Sequence, residues 1–375
     1  MQVCPICGES TETSVRRESL PVFNNVTHPT RDAARSAPTG SFTLATCRSC
    51  GFSHNMDFEP DLVTYDENYD NHVESAVFNT YYGDLVRLLI GRFELDDGTV
   101  YDIGCGNGEF LKVLCRAAPS VSGVGIDPSC HPTQDDNFRL TNETFENVGF
   151  RPDARLVILR HVLEHIDEPV NFLTRLRKEV PDTPFFIEVP DLNWILTNGA
   201  FWDFTYEHCN YFTLKTLRVT LEMAGFYVVE QQRSFGDQYQ WAICWPATHR
   251  APPPTRAGNA DSELAALQAF SAIEADRFAT ISKLAGRPNH LVLWGMSGKG
   301  VILASLLPEG LVLGGIDTNR AKQGRYAATS GIQIHPPDWL TSVGSSTVLV
   351  MNPNYVGEVH NLVERLSVNA RLITI

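Results

Sequence analysis

Positive charge is scarce in this sequence: 30 Lys and Arg stand against 44 Asp and Glu, a formal net charge of −14. That balance excludes a broad surface for nucleic acid or anionic lipid, since both need clustered cations. A local basic pocket remains compatible with it. Long hydrophobic runs are missing too, and none reaches the length that crosses a bilayer. The opening MQVCPICGES has neither the basic nor the apolar region of a secretion signal, so a cytoplasmic location is expected. Nine cysteines, an odd number, without an export signal argue against a disulfide framework. Disorder is excluded as well, because 43% of the 375 residues are hydrophobic, enough for two or three cores.

What is present falls into four stretches. Residues 1–60 show little periodicity and are read as a metal-binding region. Residues 61–250 alternate helical and strand patterns. A helix is expected over 74–93, with Val77, Tyr81, Leu85, Leu88 and Leu89 on one face. Strands are expected at Thr99–Ile103, Ser122–Ile126, Leu156–Leu159 and Phe185–Val189, with helices at Glu109–Arg116 and Pro169–Val180 between them. Phe226–Gln231 and Trp241–Trp245 read as closing strands. This alternation predicts an α/β fold with a doubly wound parallel sheet. Residues 251–287 are read as a proline-rich linker followed by a helix. Residues 288–375 are read as a second, Rossmann-like α/β domain opened by Leu291-Val292-Leu293-Trp294-Gly295-Met296-Ser297-Gly298-Lys299-Gly300.

Two CxxC pairs, each followed by glycine, lie at Cys4/Cys7 and Cys47/Cys50. Each pair sets two thiolates on one tight turn, and two such turns complete a tetrahedral S4 site that suits zinc. Four protein ligands leave no open position, so the expected Zn2+ is structural. Cys105, Cys115 and Cys209 read as core or turn residues.

The strongest local signal is Val100-Tyr101-Asp102-Ile103-Gly104-Cys105-Gly106-Asn107-Gly108. Gly104, Gly106 and Gly108 let a ligand approach the backbone at the carboxyl edge of a strand. Asp102, before the turn, is placed to hold an ammonium group. Asp127, at the end of the next strand, is placed to accept two ribose hydroxyls. The GxGxG spacing differs from the dinucleotide GxGxxG. An ammonium on one acid and a ribose on the other describe S-adenosyl-L-methionine.

With that segment and Leu159-Arg160-His161-Val162-Leu163-Glu164-His165-Ile166 in view, the chain resembles class I S-adenosylmethionine-dependent methyltransferases. The resemblance implies that residues 159–166 line the methionine end of the cofactor site, with His161 and His165 touching cofactor or substrate or else satisfying backbone in the turn. Across nearly the whole chain the order of parts is similar to the zinc-containing sugar C-methyltransferase family, which acts on nucleotide-linked 4-keto-6-deoxy sugars. Tyr206-Glu207-His208-Cys209-Asn210-Tyr211-Phe212 resembles that family's YEHxxYF motif, and Asp317 to Tyr326 resembles its C-terminal D-x-N…KQGR-Y stretch. The sequence departs from the family pattern at Ser234–Tyr239, where an HGGSLR-like segment is usual, and at Tyr65–Asn71.

Taken by themselves, Tyr206, Glu207 and His208 are either a general base with its helpers or an aromatic core with one satisfied histidine. Phe201, Trp202, Phe204, Tyr211 and Phe212 are expected to wall off water. Lys299, Lys322 and Arg325 read as phosphate ligands or as solvated surface. The resemblance implies methyl transfer to a small acceptor, favouring carbon methylation of a nucleotide-linked keto sugar in natural-product biosynthesis, with His208 as base. The alternatives are O- or N-methylation of another small metabolite, or a zinc-ribbon binding module with a degenerate core; the intact Asp102, glycine turn and Asp127 oppose the last. The oligomeric state is left open.

Overall fold

In the computed structural model of this chain, residues 3–66, 68–247, 260–285, 291–344 and 346–374 are described. The proline-rich stretch expected at 251–259 lies outside the described residues.

The fold is mixed α/β. Its central sheet has eight strands in the order Phe226–Ser234, Tyr239–Pro246, Phe185–Pro190, Ala154–Arg160, Thr99–Ile103, Ser122–Ile126, Phe138–Thr141 and Thr133–Gln134. The strands from Phe185–Pro190 to Phe138–Thr141 run parallel. Tyr239–Pro246 closes the sheet antiparallel to Phe185–Pro190. The order reverses between Thr99–Ile103 and Ala154–Arg160, so a crevice opens beyond the carboxyl ends of those two strands, where doubly wound sheets bind ligands.

Local sequence explains why the elements stop where they do. Ser75 caps the helix Ala76–Phe93, its hydroxyl accepting from the Phe78 N–H at 3.2 Å, and the helix buries Phe78, Leu85, Val86 and Leu89. The helix Glu109–Ala117 buries Phe110, Leu111, Leu114 and Cys115. It sits so close to the sheet that a Cβ on Gly123 would lie 2.5 Å from the Cys115 sulfur. Leu111 is fully buried at this contact, and truncating such a leucine to alanine costs about 2–5 kcal/mol.

The N-terminal region forms a four-stranded antiparallel sheet, Thr11–Pro21, Thr39–Cys47, Ser53–Asn55 and Asn210–Tyr211 in that order. Its alternation escaped the sequence reading because the first pair carries two register irregularities, between Thr13 and Arg16 and between Arg17 and Leu20. Each one flips the side-chain phase and erases the period-two pattern.

The C-terminal sheet is parallel, in the order Ile334–His335, Val312–Ile316, Leu291–Trp294, Ser346–Val350 and Ala370–Ile373. The helix Asp261–Ala285 packs Phe270 edge-on to Phe204, with ring centroids 5.4 Å apart, and stacks Phe278 on Phe201 at 4.3 Å.

The three sheets are interlocked. Asn210–Tyr211, from the chain of the central sheet, completes the N-terminal one. Tyr326–Ala327 pairs antiparallel with Thr27–His28. One apolar cluster joins Val15, Leu20 and Phe42 to Phe201, Trp202 and Phe204, and on to Leu291, Leu293 and Val301. Phe201, Trp202, Phe204 and Tyr211 are therefore the wedge between the sheets. Phe212 lies in the neighbouring cluster, against Phe52. None of these five rings lines the cavity, which corrects the expectation that they form its wall.

Candidate active site

The glycine turn leaves the first central strand in the left-handed region at all three glycines, with φ of 71° at Gly104, 52° at Gly106 and 75° at Gly108. A Cβ on Gly104 would come within 2.3 Å of Val162, and one on Gly108 within 2.7 Å of Leu140, whereas one on Gly106 meets nothing closer than 3.7 Å. Two of the glycines thus let the turn pack, and the middle one keeps the crevice open. Asp127 Oδ2 accepts from the Gly106 N–H at 2.8 Å, and Oδ1 accepts from Ser129 N and Oγ at 2.7 and 2.6 Å.

Asp102 is 3% exposed and, among the described residues, makes no side-chain hydrogen bond or ion pair. Burial pushes its carboxyl up to about 7, against the pull of Arg160 and with a further push from Asp127. A buried carboxylate without a partner suits an incoming ammonium. With the open backbone at Gly106, it makes the turn fit S-adenosylmethionine. Asp102, Gly104, Cys105 and Gly106 line the cavity; Gly108, of the same turn, and Asp127, bonded to it, do not line it.

The floor of the crevice is a buried ion pair that the sequence reading missed. The Arg160 guanidinium lies 2.7 Å from Glu188 Oε2 and stacks over the rings of Tyr82 and Phe110, at 4.6 and 4.4 Å from their centroids. Tyr81 donates to Glu188. His161, with φ of 56°, faces Glu164 at 3.3 Å and Glu188 at 3.5 Å and lies against Tyr239 at 4.5 Å.

Glu207, His208 and His165 form the second half of the site. Glu207 is 1% exposed, and its carboxylate accepts from the Tyr69 hydroxyl at 2.8 Å, the Tyr65 hydroxyl at 3.4 Å and the Asn24 N–H at 3.3 Å. Burial raises its pKa, with His165 opposing. Burial holds the Tyr65 and Tyr69 hydroxyls protonated, helped by Glu207. His165 Nδ1 lies 2.7 Å from the Tyr65 hydroxyl, and its ring meets that of His208 edge-on at 4.8 Å. Burial also drives His208 well below the usual histidine value, with His165, His161 and Lys299 adding to the shift. At neutral pH its ring is uncharged and able to take a proton.

Tyr206 is not part of this group. Its ring is fully buried against Gly40, whose hypothetical Cβ would clash at 2.1 Å, and its hydroxyl accepts from the Glu59 N–H at 3.0 Å. The expected donor role of Tyr206 is corrected on that ground. Tyr65 and Tyr69 are the phenols beside Glu207. Their signal lay in the Tyr65–Asn71 stretch, where a departure from the family pattern hid which tyrosine mattered.

Both halves open into one cavity of about 700 Å³. Its far side comes from the C-terminal sheet, through Trp294, Ser297, Lys299, Asn352 and Tyr355. The expected phosphate ligands are otherwise engaged. Lys299 binds both oxygens of Asp203 at 2.6 Å. Lys322 donates to Ser297 Oγ at 2.7 Å and Asn25 Oδ1 at 3.3 Å, and Arg325 donates to Thr27.

At the other end of the N-terminal sheet the four cysteine sulfurs come together, with Cys4–Cys50 at 3.7 Å, Cys7–Cys47 at 3.4 Å and Cys7–Cys50 at 3.6 Å. A tetrahedron with metal–sulfur bonds of about 2.3 Å has edges in this range. Backbone N–H groups of Ile6, Ser49 and Cys50 point at the sulfurs from 3.3–3.4 Å. The cluster is compatible with zinc.

Residues 72–231 match the family model of a methyltransferase domain. The chain is 29% identical over 242 residues to the C-methyltransferase NovU of Streptomyces niveus, a match that covers 60% of this chain and 56% of that protein. The chain thus spans little more than half the length of that relative. Among solved structures, CalO1, a methyltransferase in calicheamicin biosynthesis in its SAH-bound form, is 22% identical with a TM-score of 0.38, covering 46% of this chain and 54% of that one. The 1,6-didemethyltoxoflavin-N1-methyltransferase of Burkholderia thailandensis, with bound S-adenosylhomocysteine, is 15% identical with a TM-score of 0.36, covering 46% and 82%.

Proposed function

Residues 72–231 form a methyltransferase domain, and from that premise we propose that the protein transfers a methyl group from S-adenosylmethionine to carbon of a small nucleotide-linked keto sugar. What carries the reading is the single cavity that runs from the open glycine turn to the Glu207–His208 group. The likeness to a C-methyltransferase supports carbon as the acceptor atom.

When bound, S-adenosylmethionine supplies an electrophilic methyl carbon on a sulfonium. Asp102 would meet its ammonium, and Asp127, whose oxygens already order Gly106 and Ser129, would meet its ribose. His208, uncharged, takes the proton from the carbon next to the acceptor's ketone. Tyr65 and Tyr69, held protonated, donate hydrogen bonds to Glu207 and so hold its carboxylate beside His165, the ring that meets His208 edge-on. The wedge of buried rings keeps the sheets together around the cavity. Product analysis with labelled S-adenosylmethionine tests the reading: a new carbon–methyl bond is expected, and an O-methyl or N-methyl product overturns it.

Cys4, Cys7, Cys47 and Cys50 are proposed to hold one structural zinc, pinning the end of the N-terminal sheet against Phe52 and Phe212. Metal analysis after metal-replete expression is expected to give one zinc per chain. A clearly lower ratio in folded protein rules the site out.

A further inference from the structure

The C-terminal sheet contributes a side chain that reaches toward the active site without touching the cavity. Lys322 is 1% exposed. Among the described residues its ammonium forms no ion pair; its partners are the Ser297 hydroxyl at 2.7 Å and the Asn25 side-chain oxygen at 3.3 Å. A buried ammonium held only by neutral oxygens is costly. Burial lowers its pKa, while Asp317, Asp70 and Glu207 together raise it.

The bonds continue from there. The Asn25 amide nitrogen donates to the Tyr69 hydroxyl at 3.2 Å, and that hydroxyl donates to Glu207 Oε2 at 2.8 Å. An ammonium is a pure donor, so it demands the oxygen end of the Asn25 amide. The nitrogen end must then face Tyr69. Once Tyr69 accepts from that nitrogen, its proton points at Glu207, which is left the acceptor's part. An ionised carboxylate fills that part and a protonated one fills it poorly.

Resting on the reading of the site given above, we propose that Lys322 is a positioning residue. It fixes the direction of the chain Lys322–Asn25–Tyr69–Glu207 and so keeps Glu207 ionised beside His165 and His208. The C-terminal sheet thereby sets the proton inventory of a site whose acid–base groups it does not supply. The titratable groups around Glu207 are Tyr65 and Tyr69 from the segment after the N-terminal sheet, Glu164 and His165 from the turn after Ala154–Arg160, and its neighbour His208. Those around Lys322 are Asp70 and Asp317.

The test compares Lys322→Met, which removes the donor, with Lys322→Arg, which keeps one. In Lys322→Met, Glu207 is expected to hold its proton to higher pH, so the acid limb of the turnover profile moves up by about one pH unit. Lys322→Arg is expected to bring the limb back. A Lys322→Met protein that folds, binds cofactor and loses turnover with its acid limb unmoved overturns the proposal, since that is the pattern of a merely structural residue. If Lys322→Met does not fold, Asn25→Leu cuts the chain one link further on, and the same upward shift is required of it. A second readout needs no acceptor. In wild-type protein the carboxylic-acid C=O infrared band assigned to Glu207, by its loss in Glu207→Gln, should appear only at lower pH than in Lys322→Met. Equal titration overturns the proposal. Failure of the wild type to methylate any keto sugar overturns only the acceptor assignment, since the Glu207 titration is independent of it.

Discussion

The central and C-terminal sheets share one device, a strand, a glycine turn, a helix and a second strand ending in aspartate, yet they use it oppositely. In the central sheet the turn is open: nothing lies within 3.7 Å of a Cβ on Gly106, and Asp102 is left without a partner. In the C-terminal sheet the turn is about as open, a Cβ on Gly295 or Gly298 meeting nothing closer than 3.5 Å, and the difference lies in the polar groups. There Asp317 accepts from the Asn319 N–H at 2.9 Å, and Lys299 is tied to Asp203. Around it, Asn319 donates to Asp70 at 2.8 Å, and Asn352 exchanges two hydrogen bonds with Gln238 at 2.8 and 3.0 Å. One unit leaves Asp102 for a ligand; the other has turned its polar groups toward the rest of the chain. Topology alone does not separate the two cases. The fate of the polar atoms does.

The largest effect that tests this contrast is expected at His208. His208→Ala should cut turnover by about 10²–10⁴-fold while calorimetric cofactor affinity stays put. Full activity in that variant would move the chemistry away from the central sheet's crevice. Next come the paired acids. Asp127→Ala is expected to weaken S-adenosylmethionine by about 10–150-fold, the worth of a charge-assisted hydrogen bond. Asp317→Ala is expected to leave that affinity alone and lower the melting temperature instead. A weakened cofactor in Asp317→Ala would break the comparison.

A third test is pH. With its carboxyl raised to about 7, Asp102 is charged only above that value. Cofactor affinity should fall about tenfold per unit as pH drops below it, and Asp102→Asn should flatten the slope. The linked effect on the free protein has the opposite sign. Between about 4 and 7 the folded chain holds a proton that the unfolded chain has lost, so the stability Asp102 contributes fades as pH rises through that window. The smallest effect is expected at Lys299→Ala, which leaves Asp203 without its cation and costs about 1–2 kcal/mol of stability. Acceptor affinity unchanged in that variant would agree with a docking role, and a large loss would return Lys299 to the ligand.

The half of the site that was legible in the sequence is the half made of neighbours. Asp102, Gly104, Gly106 and Asp127 lie on one strand–turn–helix–strand unit, so chain spacing carries their geometry, and the strands Thr99–Ile103 and Ser122–Ile126 stand where the apolar runs put them. Glu207, Tyr65, Asn25 and Lys322 come from stretches up to 297 residues apart, and no local pattern links them. The YEH triplet drew attention to the right place but misled over Tyr206. Tyr206 and Glu207 sit in a turn rather than a strand, so their spacing assigns no face, and here the tyrosine took the core while the glutamate took the cavity. The N-terminal strands were hidden for a different reason, the two breaks in register that cancel their alternation.

The borrowed strands have a consequence for how the protein is made. The sheet begun by Thr11–Pro21 gains its last strand only when Asn210–Tyr211 is available, and Thr27–His28 finds its partner only at Tyr326–Ala327. At about 5–20 residues per second of synthesis, residues 27–28 wait roughly 15–60 s on the ribosome for that partner. The N-terminal region therefore cannot finish folding as it emerges. For that interval it depends on whatever holds the knuckles together, so metal captured early by the two cysteine pairs would serve as a clamp that protects an unfinished edge from pairing with other nascent chains.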